Sequence, residues 1–224
     1  MALPGRTVPA TLGAIGFDMN TPLNSARAKL FANQGYKFCI RYVSRNDETR
    51  ANHAKDGTAD LSRDEAAAIL EAGMALMVIQ HPPTTGWKPT PELGKVYGQN
   101  AAIYAADADL TAGVNVWLDL EGVASGTPTA DIVGYCNAWF AAVEAAGYAS
   151  GIYVGAQAYL TSEELFLDLK TKHYWKAGGD IPPVAHRGYQ LIQHIRNAGT
   201  KSEFDQDVAQ NDAFGDAAIW LAPG

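Results

Sequence analysis

The chain has 224 residues, of which 47% are hydrophobic and 18% charged, so it can bury a substantial core and is not disordered. Its formal net charge of −7 argues against nucleic-acid binding and against electrostatic docking on an anionic membrane, since both need clustered Lys and Arg. The N-terminal residues show no signal-peptide pattern and no segment is apolar enough to span a bilayer, so we expect any export to follow another route.

Short apolar runs alternate with capped amphipathic segments in the first half of the chain, which predicts strand–helix units around a parallel sheet. Ser62 and Glu65 have the spacing of a capping box at the start of a helix that stops at Gly73. Thr127-Pro128 opens a later helix with a clear apolar stripe. The other predicted elements here are strands 13–20, 36–44, 75–81 and 114–121 and helices 24–33 and 90–106.

The second half continues the pattern with shorter helices. A second capping box at Thr161 and Glu164 predicts one more helix, and the run 216–221 is predicted as a last short helix. No secondary structure is predicted for the polar segment 45–60. Further strands are predicted at 150–154, 173–177, 189–195 and 203–208. Eight strands in this order predict one α/β domain over residues 1–224, a (β/α)8 TIM-like barrel with short or missing late helices.

Metal-binding and nucleotide-binding signatures are missing from the sequence. Cys39 and Cys136 lie in apolar stretches and are predicted to be buried free thiols, and no Cys/His cluster indicates zinc. The five histidines are scattered, and only His194, beside Gln193, is a candidate for lining a pocket. No serine-hydrolase elbow, P-loop or dinucleotide fingerprint occurs, and we expect no cofactor.

Carboxylates interrupt three of the apolar strands, where they are costly to bury and need an explanation. Asp18 lies near the end of the first strand, Asp119 and Glu121 end the fourth, and Asp205 and Asp207 lie in the eighth. Asp119 and Glu121 are two residues apart and so share a face, about 6–7 Å apart along the strand. In a closed barrel the first and eighth strands are neighbours, so Asp18 is expected beside Asp205.

All these acids are expected at the C-terminal ends of their strands, where barrel enzymes place their active sites. Crowded carboxylates cannot all remain ionised, so at least one pKa should rise enough to retain a proton near neutral pH. A protonated acid beside an ionised one suits glycoside hydrolysis. We therefore predict Glu121 as the general acid and Asp119 as its partner or as a stabiliser of the intermediate. Alternatively, each acid caps a helix, pairs with an arginine or binds a metal.

Aromatic side chains commonly form the platforms of sugar clefts. Tyr42, Trp87, Tyr153 and Trp175 are candidates, and Trp87, in a Pro- and Gly-rich loop, is expected to be the exposed one. Core packing is an equally good interpretation of the other three. Trp117 and Trp139 are assigned to the core.

The order of these motifs resembles the family 25 glycoside hydrolases, the muramidase-type lysozymes. Gly-Phe-Asp, Leu-Asp-Leu-Glu and Phe-Asp-Gln-Asp-Val resemble their first, fourth and eighth strands, and Trp175 and Gln193 match elements of the sixth and seventh. A closer resemblance is to glycoside-hydrolase-like barrel domains of bacterial envelope and phage proteins. The third strand departs from the lysozyme pattern, because it ends in Val-Ile-Gln-His-Pro instead of an aromatic-rich run.

The resemblance implies a lysozyme-like hydrolase of the peptidoglycan glycan. We expect a retaining, monomeric enzyme that acts on the cell wall or outside the cell, after phage-type lysis or carried on a particle. The resemblance also implies Glu121 as proton donor and Asp18, Asp119 and Asp205 as the other site carboxylates. Asp207, Gln193 and the four aromatic candidates would contact substrate. The altered third strand keeps open a non-catalytic carbohydrate-binding or structural barrel of a phage particle or envelope assembly, and a metal-dependent hydrolase is a third hypothesis.

Overall fold

A computed structural model of the chain describes residues 3–194 and 203–224. The strands are β1 Arg6–Pro9, β2 Ile15–Met19, β3 Phe38–Val43, β4 Ala75–Gln80, β5 Asn115–Leu120, β6 Ala149–Val154, β7 His173–Lys176, β8 Leu191–His194, β9 Asp205–Ala209 and β10 Ile219–Ala222. The helices are α1 Ser25–Asn33, α2 Asp47–Asp56, α3 Arg63–Glu71, α4 Pro91–Asp107, α5 Thr129–Ala145 and α6 Ser162–Leu167.

Strands β2 to β9 form a closed eight-stranded barrel in chain order, because β9 pairs with both β8 and β2. Every residue of β4 and β5 is buried, as expected for strands covered on both faces. The α/β TIM-like barrel is therefore confirmed. The late helices are short, as predicted: α6 has 6 residues, and no helix occurs in the described segment 177–190.

The barrel differs from the ideal parallel form at its last strand. β2 to β8 run parallel to one another, whereas β9 is antiparallel to both of its neighbours. The reversal matters for the site, because it brings the beginning of β9 to the mouth at which the parallel strands end.

The predicted helix at 216–221 is wrong. Ile219–Ala222 instead forms β10, which pairs antiparallel with β1 and is joined to the barrel by the pairing of Leu221 with Leu76 of β4. Its four residues are too few to show a helical or strand period, and the branched and aromatic side chains of Ile219 and Trp220 suit a strand.

The polar segment 45–60 contains α2, which buries none of its residues. Asn46 caps its first turn in a capping box with Thr49, and Gly57 ends it in the left-handed conformation at φ 85°. A helix without an apolar face has no hydrophobic period, so these end signals were the only ones available in the sequence.

The two predicted capping boxes have different outcomes. The box at Thr161 and Glu164 is confirmed, with both reciprocal hydrogen bonds. Ser62 does cap α3, but Glu65 does not return the bond. Its carboxylate accepts a 2.7 Å hydrogen bond from the Leu23 N–H and a 2.6 Å hydrogen bond from Arg41 Nε, so a buried ion pair takes the place of the capping box.

The core lies in the barrel and under α4 and α5. Trp117 and Trp139 are fully buried and Cys39 and Cys136 are buried free thiols, as predicted. Among the described residues, no helix has the length and apolarity required to cross a membrane.

Candidate active site

Four predicted acids line one cavity of about 340 Å³ at the C-terminal mouth of the parallel strands. Asp18 projects from β2, Asp119 from β5 and Asp205 from the start of β9, while Glu121 directly follows β5. Asp207 lies deeper and is fully buried, without lining the cavity. The barrel thus brings together side chains that are far apart in the sequence.

The direction of β9 explains how its acids reach this mouth. Asp18 is the register partner of Asp205, and Gly16 is the partner of Asp207. The pairing of Asp18 with Asp205 was predicted, but the expectation that every acid lies at the C-terminal end of its strand is wrong for β9. Because β9 is antiparallel, Asp205 stands at its first residue.

Asp18 accepts two side-chain hydrogen bonds and lies near the carboxyl group of Asp207. Gln193 Nε2 donates to Asp18 Oδ2 at 2.8 Å, and the Tyr42 hydroxyl donates to Oδ1 at 3.2 Å. Burial raises the pKa of Asp18 to about 7, and the nearby charge of Asp205 adds to the rise, against the hydrogen bonds from Gln193 and Tyr42.

A second layer of side chains orients these partners. The Tyr153 hydroxyl donates to Gln193 Oε1 at 2.9 Å, which turns the amide so that its N–H₂ group faces Asp18. Trp175 Nε1 donates to Asp207 Oδ1 at 2.9 Å. Burial, reinforced by the charge of Asp18, raises the pKa of Asp207 well above its usual range, so Asp207 is biased towards its protonated form.

Asp119 is buried close to the other acids at the end of β5. Its Oδ1 is buried without a hydrogen-bond partner among the described residues. Burial raises the pKa of Asp119 well above its usual range, with further contributions from Glu121 and Asp18. Burial also raises the pKa of Glu121, which is half-buried at the cavity wall. Both groups are therefore biased towards their protonated forms.

No basic side chain neutralises this cluster within the described part of the chain. Arg41, which directly follows the register partner of Asp18 on β3, is paired with Glu65. None of the five acids forms an ion pair with a described residue. The alternative in which each acid pairs with its own arginine therefore does not describe these residues. Within residues 3–194 and 203–224, no three His, Cys, Asp or Glu side chains are arranged to hold a metal ion.

The aromatic candidates occupy different depths. Tyr42 lines the cavity, whereas Tyr153 is 9% exposed and Trp175 is fully buried, so both lie behind the acids. Trp87 was expected to be exposed, but it is half-buried against the core. Its Nε1 donates to the backbone carbonyl of Glu121 at 2.8 Å, which fixes the loop that carries the acid.

His81 lines the cavity but was not predicted as a site residue. It directly follows β4, and its ring lies between those of Tyr42 and His53 at centroid distances of 4.4 and 4.2 Å. Burial lowers the pKa of His81 to about 3, helped by the positive charges of His53, Arg41 and Arg45, so the ring is neutral at pH 7. Its position immediately after a predicted strand was the available signal. The candidate His194 is exposed and is not among the cavity residues.

Comparison with known proteins places this barrel in a defined class. Residues 29–213 match the family model described as the Rv2525c-like, glycoside hydrolase-like domain, and the chain belongs to this family. No curated protein matches the sequence significantly. Membership of the family 25 glycoside hydrolases remains a prediction.

Solved structures with the same fold include the Rv2525c protein, a bacterial lysozyme and a phage endolysin. The Tat-secreted protein Rv2525c of Mycobacterium tuberculosis, in complex with L-tartrate, superposes with a TM-score of 0.64 at 18% identity, covering 92% of this chain and 99% of that one. The bacterial lysozyme from Streptomyces coelicolor gives 0.55 at 15% identity, covering 92% and 95%. The catalytic domain of endolysin ply40 from Listeria monocytogenes bacteriophage P40 gives 0.56 at 15% identity, covering 89% and 94%. At these identities the likeness concerns the fold.

Proposed function

We propose that this protein is a glycoside hydrolase that cleaves the glycan strands of peptidoglycan, with Glu121 as the proton donor. The observation that carries the proposal is the convergence of five carboxyl groups with raised pKa values at one open cavity, none of which forms an ion pair with a described residue. Such a cluster holds protons near neutral pH and carries negative charge at the same time, which is what acid-assisted cleavage of a glycosidic bond requires.

The proposed reaction begins when Glu121 donates its proton to the glycosidic oxygen. The bond from that oxygen to the anomeric carbon breaks, and the positive charge on the sugar is stabilised by ionised Asp18, beside which Asp119 stays protonated as its partner. Water then adds to the anomeric carbon and returns a proton to Glu121, with the configuration retained. Asp18 has the most hydrogen-bond donors of the cluster, and we assign it the negative charge of the resting site.

The remaining candidates divide between contact and support. Tyr42 and Asp205 line the cavity and are proposed to touch the sugar. Tyr153, Gln193, Asp207 and Trp175 lie behind Asp18 and are proposed as positioning residues, and Trp87 positions the Glu121 loop.

We propose that the protein acts as a monomer without a cofactor, on the cell wall or outside the cell. The description of the similar Mycobacterium tuberculosis protein as Tat-secreted supports this location. The fold shared with a bacterial lysozyme and a phage endolysin supports a glycan substrate.

A second candidate is a glycan-binding barrel without turnover. It is favoured by the environment of Asp119, because burial and two neighbouring acids hold its pKa well above the usual range. A permanently neutral Asp119 would not stabilise positive charge on the sugar.

The two candidates differ in turnover of purified peptidoglycan sacculi. If the protein is a hydrolase, it should release new reducing ends, and mass spectrometry of the products identifies the bond that is cut. Glu121→Gln should abolish this release without changing the melting temperature. Glu71→Gln, an exposed glutamate at the end of α3, is the matched control. Binding to sacculi without release of reducing ends at any pH would contradict the hydrolase and favour the second candidate.

A further inference from the structure

A second hollow of about 470 Å³ opens beside the acid cavity. Its walls are residues 155–160, which follow β6, and residues 178–182, which follow β7. Both segments leave the C-terminal ends of parallel strands, so the hollow faces the same mouth of the barrel as the acids. We call it the β6–β7 hollow.

Both walls of the β6–β7 hollow are attached to the candidate active site. A Cβ atom on Gly155 would lie 2.6 Å from Glu121 Cβ and 2.8 Å from Glu121 Oε2, so this wall is in direct contact with the proposed acid. On the other wall, the Gly178 N–H donates to Gln193 Oε1 at 3.3 Å, and Gln193 in turn holds Asp18. A ligand in the hollow would therefore be adjacent to one in the acid cavity.

The first wall has an unusual backbone. Gln157 and Tyr159 both adopt the left-handed region, at φ 61° and 53°, which costs roughly 1–3 kcal/mol for each residue that is not glycine. The N–H groups of Gly122 and Val123 hold the segment by donating to the carbonyls of Ala156 and Gln157 at 2.9 and 3.2 Å. One result of this conformation is that the large Tyr159 side chain is left 46% exposed while lining the hollow.

The composition of the β6–β7 hollow suits a sugar ring. A pyranose has an apolar C–H face that packs on an aromatic ring and hydroxyls that need polar partners at its edge. Tyr159 supplies the ring, Ile181 an apolar wall, and Gln157 and Asp180 supply polar groups.

Among the described residues, the acid cavity has no aromatic ring as exposed as that of Tyr159. Its three aromatic side chains, Tyr42, His81 and Phe204, are all half-buried, and the His81 ring packs against Tyr42 and His53. The Tyr42 hydroxyl is bonded to Asp18, and Phe204 packs among Phe17 and Phe31. A platform for the neighbouring part of a glycan must therefore come from outside the cavity.

We propose that the β6–β7 hollow is a second saccharide subsite, which binds the sugar next to the one at Glu121, with Tyr159 as its stacking platform. This inference rests on the proposed function and adds where the glycan strand continues from the acid cavity. The glycan strand would then run from the acid cavity past Gly155 towards Tyr159.

The test measures binding of peptide-free peptidoglycan di- and tetrasaccharides by calorimetry, in the full chain carrying Glu121→Gln to prevent turnover. Tyr159→Asn should weaken tetrasaccharide binding roughly tenfold and shrink its advantage over the disaccharide, because Asn tolerates the left-handed backbone but removes the ring. Tyr159→Phe should retain the affinity. His186→Asn is the matched control, since His186 is also exposed and left-handed, at φ 58°, but does not line either site.

Unchanged tetrasaccharide affinity in Tyr159→Asn would overturn the subsite while leaving the proposed hydrolase intact. An equal loss in His186→Asn would also overturn it. Failure of the parent to bind either saccharide would overturn the subsite together with the proposed substrate class, whereas the hydrolase itself is judged by release of reducing ends from sacculi.

Discussion

Gln193 of β8 donates its 2.8 Å hydrogen bond to Asp18 of β2 past the intervening strand β9, and so ties the two strands together inside the barrel. Gln193→Leu should destabilise the fold by about 1–3 kcal/mol, since it also leaves the buried Tyr153 hydroxyl without its acceptor. The loss should be larger at pH 8 than at pH 5, because a hydrogen bond to ionised Asp18 is stronger than one to the neutral acid. Urea unfolding at both pH values measures this, with the exposed Gln99→Leu as control.

The raised carboxyl pKa values predict an unusual pH dependence of stability. A carboxyl whose pKa is higher in the folded state stabilises the fold below its unfolded pKa, and this contribution is lost as the pH rises through the folded value. For Asp18 the loss falls between about pH 4 and 7. We therefore expect the free energy of unfolding to decline over this range.

Asp119→Asn should relieve part of that decline. The substitution removes an ionisation that is favourable only in the unfolded chain, which is worth about 1.4 kcal/mol for each unit by which burial raises the pKa of Asp119. Denaturation at pH 4 and pH 8 should show the variant more stable than the wild type at pH 8 and little different at pH 4. An equal effect at the two pH values would mean that Asp119 titrates normally.

The contact between Gly155 and Glu121 predicts a sensitive position for activity. An added methyl group at Gly155 would overlap the Glu121 side chain and displace its carboxyl group. We expect Gly155→Ala to lower the rate of glycan cleavage by at least roughly tenfold, because small misplacements of a catalytic group are costly. Ala145→Ser adds one atom on the exposed end of α5 and should leave the rate unchanged. A fully active Gly155→Ala would place the reacting acid elsewhere.

The buried ion pair between Arg41 and Glu65 predicts a large effect on stability. Glu65→Ala leaves the fully buried guanidinium of Arg41 without its carboxylate, and the expected destabilisation is about 3–5 kcal/mol. The comparison is Glu203→Ala, which breaks an ion pair between Arg27 and a 77% exposed carboxylate and should cost at most about 1 kcal/mol. Equal losses in thermal or urea unfolding would show that the buried ion pair contributes no more than the exposed one.

The sequence predicted what depends on local pattern. Apolar runs located all eight barrel strands, and carboxylates inside such runs located Asp18, Asp119 and Asp205, because buried charges stand out against their neighbours. Strand direction is not a local property, so the reversal of β9 was missed. Glu65 followed the capping spacing, but the partner that decided its contact, Arg41, lies on β3 and could be identified only in three dimensions.

The sequence also could not predict how deeply each aromatic or imidazole ring is buried. Trp175 and Tyr42 both lie in strands, yet one is fully buried under Asp207 and the other lines the cavity. Which face of a strand meets the open end of the barrel depends on the closed sheet. In the sequence, His81 is an isolated histidine. Its ring contacts His53 of α2, a helix that has no hydrophobic period and was therefore not predicted.

The account depends most on protons being retained by the clustered acids, and site-resolved NMR titration of the side-chain carboxyl carbons measures this directly. We expect Asp18 to titrate at about pH 7 and Asp119 to remain protonated above the pH range in which the carboxyl groups of model peptides titrate. Titration of all five acids between about pH 3.5 and 4.5, as in model peptides, would contradict the account.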